Sequence, residues 1–257
     1  MGWASTAQTI NGLGRLYQHE MSLHGSLPLA KGMIRAKIAN QATMARRWHG
    51  TCGDTMLLRS LQRNVDGCRS LPEVFAVEGR AATLYFGMFP MFLKADRRKP
   101  WAQGWPGRQG RGAGDALNVC LNYSYGLLLS ECIRALLACG LDPHAGILHS
   151  ANRNKPAMAL DLMEEFRPVI ADSVVISAIN NCQIKPAMLL SDLGDSCLDQ
   201  RARKALISLH EKRMSTEITH PVFGYRVSWR RVIEVQARLV LEAVSGGEQR
   251  YRGMMVR

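Results

Sequence analysis

Asp161, Glu164 and Glu165 sit three and four positions apart in a stretch whose other members (Met158, Ala159, Leu160, Leu162, Met163, Phe166) are apolar. That spacing predicts three carboxylates on one face of a helix, within reach of one another. His149 precedes them at the end of an apolar run, followed by a short basic loop carrying Arg153 and Lys155. Carboxylates beside an imidazole suit a divalent cation, and flanking cations suit a phosphate. Glu78 offers another carboxylate: it shares the spacing of an apolar stripe at 75, 78, 82 and 85. A carboxylate there is costly unless something pairs with it, and a salt bridge or a metal would both serve.

The elements that must position these groups read almost entirely as helices. Residues 1–26 have no clear period and read as a loosely ordered lead-in. From Pro28 a helical pattern runs to about Trp48, with Lys31, Arg35, Lys37, Arg46 and Arg47 on the face away from its apolar residues. That face is expected to be solvated or to meet DNA. A second amphipathic segment follows Gly50. Ser70-Leu-Pro72-Glu73 is a capping box with proline in the first turn, starting the helix that carries Glu78. Pro90 is expected to kink its far end.

Residues 94–115, rich in Gly, Arg and Trp, read as a loop. Trp101 and Trp105 could stack on bases there, or the loop could be a plain connector. Asp115 is expected to cap a long, nearly uniformly apolar helix over 116–139, ended by Gly140, and such a helix belongs at the centre of a domain. After a kink at Pro168, 169–179 reads as another buried helix. A charged helix over 199–217, a turn over 219–224 and an amphipathic helix over 228–244 with Arg230, Arg231 and Arg238 exposed complete the pattern. The tail 248–257 reads as basic and mobile. Few strand signals appear, so the expected fold is all-α, a helical bundle. Its expected divisions are 1–27 as linker, 28–247 as the helical domain and 248–257 as basic tail.

The chain has 257 residues, with 33 Lys and Arg against 21 Asp and Glu, a formal charge of +12. That excess favours nucleic acid or an anionic surface as partner. No apolar run reaches the roughly 18 residues a spanning helix needs, so no membrane is expected. No secretory signal is read at the start. Seven scattered cysteines with no Cys-x-x-Cys pair argue against a disulfide framework or structural zinc. They fit buried, reduced thiols in a cytosolic protein.

The ordered set Glu78-Gly-Arg-Ala-Ala-Thr-Leu-Tyr-Phe, Asp115-Ala-Leu-Asn118 with Tyr123-Ser-Tyr125-Gly126, Gly140-Leu-Asp-Pro143 with Gly146-Ile-Leu-His149, Lys155-Pro, 160–168, and Thr219-His-Pro221 before Tyr225-Arg226 resembles the CRISPR-associated integrase of the spacer-adaptation step over about 28–245. The resemblance implies a helical catalytic domain that holds Mg2+ or Mn2+ through Glu78, His149 and Glu164, with Asp161 as an auxiliary carboxylate. It places Lys155 and Arg167 near the scissile phosphate. Arg153, Arg108, Arg111 and Arg226 are further expected DNA contacts. The implied activity is a metal-dependent endonuclease and integrase: a DNA 3′-hydroxyl attacks a phosphodiester of the repeat array. The implied partners are double-stranded DNA (spacer precursor and repeat array), a second copy in a homodimer or higher homo-oligomer, and a small second adaptation subunit. The family's N-terminal β-strand domain reads as absent or vestigial.

Two other readings compete. His210-Glu-Lys-Arg213 with Tyr251 matches a fragment of the tyrosine recombinase pattern, which would require a protein nucleophile. A basic, non-catalytic DNA-binding scaffold would keep the charge without the chemistry.

Overall fold

A computed structural model describes residues 12–110, 112–149, 155–192, 195–246 and 251–256. Its helices are α1 (Gly12–His24), α2 (Leu27–His49), α3 (Gly53–Gly67), α4 (Leu71–Met88), α5 (Ala95–Ala102), α6 (Ala116–Ala138), α7 (Ala157–Met163), α8 (Ser173–Asn180), α9 (Gln200–Ser215) and α10 (Trp229–Val244). Two short antiparallel hairpins interrupt them, β1 (Leu189–Asp192) with β2 (Asp195–Leu198) and β3 (Glu217–Thr219) with β4 (Arg226–Ser228). The all-α reading holds. The turn expected over 219–224 is the tip of the second hairpin, whereas the first had no sequence signal. Among the described residues no helix is long and apolar enough to cross a membrane.

Helix α6 is the hub, as its composition requires. Asp115 accepts a hydrogen bond from Asn118 N at 3.0 Å, and Gly140 ends the helix at φ +78°, a conformation that favours glycine. It packs against α5, α7, α8, α9 and α10, burying Leu117, Leu121, Leu128 and Leu136 completely. Each such side chain is worth roughly 1.5–3 kcal/mol removed from water. Its one buried acid, Glu131, accepts from Arg230 Nη2 at 3.1 Å and pairs with Arg134. Arg230, expected to be exposed, is therefore a half-buried tie between α6 and α10. Burial costs the Glu131 carboxylate, but these guanidiniums outweigh that and hold its pKa below the usual range.

The acidic helix does not run straight. Helix α7 gives way after Met163 to a wide-turned π-segment, Arg167–Asp172, which leads into α8. Pro168 has no N–H to donate, so the regular ladder must shift there. Arg213 of α9 donates to the Val169 carbonyl at 2.9 Å and satisfies it.

Four expectations are corrected. Residues 12–24 form a helix, not a loose lead-in: its buried face is Gly14 and Gln18, and Gln18 donates to the carbonyls of Asp142 and Ala145 at 2.8 and 3.0 Å. Hydrogen bonds dock it, so no apolar period announced it. The stretch 94–115 is no open loop. Trp101 is buried inside α5, and Trp105 stacks on Phe89 and donates to Phe86 O, so neither ring is free for bases. The tail residues Tyr251–Val256 are docked rather than mobile, since Tyr251 donates to Glu165 Oε1 at 2.6 Å and Met254 N to Oε2 at 2.6 Å. Residues Cys182 and Cys197 are exposed, although all the cysteines are free.

Candidate metal centre

Glu78 sits on α4, whose capping box forms in part: Ser70 Oγ accepts from Glu73 N, but Glu73 Oε2 accepts from Arg69 N rather than from Ser70 N. The buried stripe of α4 is 74, 81, 85 and 88 rather than 75, 82 and 85, and Phe75 is exposed. Glu78 still faces inward, its side chain 23% exposed, because Lys37 of α2 meets it: Nζ lies 2.5 Å from Oε1.

Lys37 corrects the sequence reading. Expected on a solvated or DNA-facing strip, it is buried, its side chain 9% exposed. Its ammonium is also 2.6 Å from Oε2 of Glu164. One cation thus joins two carboxylates from α4 and the end of α7. Burial alone would lower the Lys37 pKa, but Glu164 and then Glu78 overcome that and raise it.

Glu164 is the most constrained acid in the site. It is 3% exposed, Arg167 Nη1 lies 3.1 Å from its Oε1, and His149 Nε2 is 4.0 Å from the same oxygen. Its Oε2 meets Lys37 as an ion pair without a well-directed hydrogen bond. Desolvation pushes its pKa up, yet Arg167 and then Lys37 hold it down at about 2.

His149 is fixed from behind by Asp161. That carboxylate is fully buried and accepts from the backbone N–H groups of Ile147, Leu148 and His149 at 2.6, 2.8 and 3.0 Å. Its Oδ1 also lies 2.6 Å from Nδ1 of the imidazole. With Nδ1 carrying the proton toward Asp161, Nε2 faces Glu164 with a lone pair, the arrangement that orients metal-binding histidines. Desolvation would lower the His149 pKa; the hydrogen bond and charge of Asp161 raise it.

The three acids therefore do not form one face. Asp161 folds the 147–149 turn, Glu164 meets Lys37 and Arg167, and Glu165 points to the tail, where it also accepts from Gln236 at 3.1 Å. Burial raises the Glu165 pKa to about 7 against those three donors. Glu164 and Glu165 fall in the turn that follows α7 and, as sequence neighbours, point in different directions.

Behind the site lies a layer the sequence reading missed. The Arg167 guanidinium sits 5.1 Å from the centre of the Tyr125 ring, with Arg108 at 4.7 Å from the same ring. Tyr125 and Tyr85 donate to Asp172 at 2.8 and 3.0 Å, and burial raises the Asp172 pKa to about 6. A signal for Lys37 was present: Lys37, Asn40 and Gln41, all buried, repeat the three-and-four spacing of Asp161, Glu164 and Glu165. The two polar sets meet, because Asn40 donates to Glu165 O at 2.7 Å while Lys37 meets Glu164.

Of the expected DNA contacts, Arg167 belongs to the site. Lys155 is exposed just before α7. Arg108 is held by Asn118 and Asn122 at 3.1 and 2.6 Å. Arg226 lies on β4, 74% exposed and paired with Glu217. Arg111 and Arg153 fall outside the described residues. Tyr251 is buried on Glu165, and His210 is buried with no hydrogen-bond partner on either ring nitrogen. A buried phenol cannot attack a phosphodiester, so the recombinase reading fails.

Among the described residues no three His, Cys, Asp or Glu side chains share one ready coordination sphere; the Lys37 ammonium takes the point between Glu78 and Glu164. The donor set nonetheless suits a hard to borderline divalent ion: two carboxylates and one imidazole whose second nitrogen is anchored.

Residues 1–212 match the family model for the CRISPR-associated protein Cas1. A Cas4/Cas1 exonuclease–endonuclease fusion of Geobacter sulfurreducens is 39% identical over 253 residues, covering 95% of this chain and 45% of that protein. A Cas1 endonuclease of Thermus thermophilus is 36% identical over 235 residues, covering 90% of this chain and 67% of that protein. The chain spans less than half the length of the fusion relative. Among solved structures, a casposase bound to its integration product superposes with a TM-score of 0.81 at 22% identity, over 97% of this chain and 70% of that one. A Cas1 protein of Thermotoga maritima gives 0.79 at 18% identity, over 92% and 72%; both share the fold. With the family model covering most of its length, the chain belongs to the CRISPR-associated Cas1 family.

Proposed function

We propose that this chain is the helical catalytic domain of a metal-dependent DNA integrase and endonuclease that inserts new spacers into a CRISPR array. The observation that carries the reading is the convergence of Glu78, Glu164 and the Nε2 face of His149 beside Arg167. In a Cas1 family member these are the residues that would hold Mg2+ or Mn2+. When bound, such an ion polarises a phosphoryl oxygen and stabilises charge on the entering and leaving oxygens.

The chain's own groups do the rest. Asp161 keeps the His149 proton on Nδ1. Arg167, rigid on the Tyr125 ring, balances the charge that builds on the transferred phosphate. Lys155 and other exposed cations hold the phosphate backbone, so binding should weaken steeply with salt. A DNA 3′-hydroxyl forms the new P–O bond as the bond to the departing 3′-oxygen breaks, and no protein nucleophile is needed. Water in place of that hydroxyl gives nicking.

The inferred substrates are double-stranded spacer precursor and repeat array. The inferred assembly is a homodimer or larger, working with a small second adaptation subunit. Structures of Cas6-RT-Cas1 with Cas2, at TM-scores of 0.77 and 0.79, support the last partner.

The test is an integration assay with a short duplex and a supercoiled repeat plasmid. Wild type should join strands in Mn2+ or Mg2+ and fail in EDTA, and Glu78→Ala and His149→Ala should each lose at least about 100-fold. Tight DNA binding with no joining by wild type, unaffected by His149→Ala, would instead favour the non-catalytic scaffold.

A further inference from the structure

We propose that Lys37 is an internal counter-cation seated where the divalent ion would bind, so that metal loads only by expelling the ammonium from between Glu78 and Glu164. The inference rests on the function proposed above, which supplies the ion.

Two distances motivate it. Nζ lies 2.5 Å from a Glu78 oxygen and 2.6 Å from a Glu164 oxygen, so the ammonium fills the point between the two carboxylates that a cation they shared would take. One point cannot hold both cations, and their mutual repulsion in a desolvated site is severe. Charge balance agrees. Without metal, Lys37 and Arg167 neutralise Glu78 and Glu164. With a divalent ion added and Lys37 still seated, these four side chains and the ion would carry two uncompensated positive charges. With Lys37 withdrawn and a DNA phosphate present, metal, Arg167, the two glutamates and the phosphate balance again.

The residue is suited to such exchange. Lysine presents a point charge on a flexible four-carbon stem, unlike the rigid fork of Arg167. Glu78 is partly open to solvent at 23%, which leaves a route for the ammonium to leave. Lys37 thus acts twice: it stabilises the metal-free fold by pairing two acids that would otherwise repel, and it sets the threshold for metal entry. DNA, by supplying the compensating negative charge, should tighten metal binding.

The experiment measures Mn2+ affinity by calorimetry and melting temperature in EDTA and in Mn2+, for wild type, Lys37→Gln and Lys37→Arg. Lys37→Gln is expected to bind Mn2+ at least about tenfold more tightly than wild type, to melt lower than wild type in EDTA, and to recover in Mn2+. Lys37→Arg, which keeps a charge in the seat, should bind Mn2+ no more tightly than wild type. Unchanged or weaker Mn2+ binding by Lys37→Gln overturns the proposal, as does tighter binding by Lys37→Arg. Should Lys37→Gln fold only with Mn2+ present, the proposal stands; should it not fold at all, Lys37→Arg decides. His149→Ala in each background separates the two ideas. A Lys37→Gln gain that is indifferent to His149 keeps the displaced cation but defeats the ligand assignment, whereas no Mn2+ binding by any protein defeats both.

Discussion

Glu164→Gln should lose strand transfer by at least about 10³-fold and also lose about 3 kcal/mol of stability in EDTA at pH 7. The first loss follows from removing a charged oxygen donor at the centre of the proposed metal site, where a single well-placed group is worth two to three orders of magnitude. The second follows from linkage. The Glu164 pKa falls from about 4.5 to about 2 on folding, and each unit is worth about 1.4 kcal/mol. A depressed acid stabilises the fold above its unfolded pKa, and that contribution disappears as pH falls from about 4.5 through 2. The difference between wild type and variant should therefore be full at pH 6–8 and shrink toward pH 2. Breaking a buried pair typically costs about 3–5 kcal/mol, because the orphaned partner stays buried; here Arg167 would lose its carboxylate, while Lys37 would keep only Glu78. Denaturant melts across that range, in EDTA, give the check. A difference that stays constant with pH would mean that folding does not shift the Glu164 pKa.

Asp161→Ala should be the most damaging single change to the fold around the site. The carboxylate gathers three backbone N–H groups and the His149 ring. Hydrogen bonds to a charged group contribute about 1.5–3 kcal/mol each, so even a partial sum is about 4 kcal/mol or more. Asp161→Asn separates folding from chemistry. Its carbonyl oxygen can still accept from part of the turn, but its amide presents hydrogens where acceptors are needed. It should fold, yet lose about 10–100-fold in Mn2+ affinity and strand transfer, as changes behind a metal ligand do. Unchanged activity in a folded Asp161→Asn would show that the 147–149 turn, not the orientation of the imidazole, is all that Asp161 serves.

The long elements were legible because their residues obey a single rule. The apolar run of α6 between Asp115 and Gly140, and the capping box of α4, each state their structure in local chemistry. The proposed ligands Glu78, His149 and Glu164 were named from the resemblance; the structure places both glutamates on the Lys37 ammonium and the His149 Nε2 at 4.0 Å from Glu164. What stayed hidden was held by long-range polar contacts. Helix α1 docks through Gln18 on carbonyls 124 and 127 residues away, and its leucines at 13, 16 and 23 face outward, so it shows no inward apolar stripe. Lys37 looked like surface charge because periodicity cannot separate an exposed lysine from one buried on two acids. The tail looked mobile because its anchor, Glu165, was read as part of an acidic cluster. The π-segment at Pro168 was visible only as a kink.

The account stands or falls on whether Glu78, His149 and Glu164 hold one cation together. Pulsed electron paramagnetic resonance of Mn2+ added to the whole chain reads both stoichiometry and ligand type. The expected spectrum shows one bound Mn2+ per chain with 14N coupling from an imidazole, and both are lost in folded His149→Ala and reduced in Glu78→Ala. Mn2+ bound without nitrogen coupling, or bound equally well by His149→Ala, would contradict it.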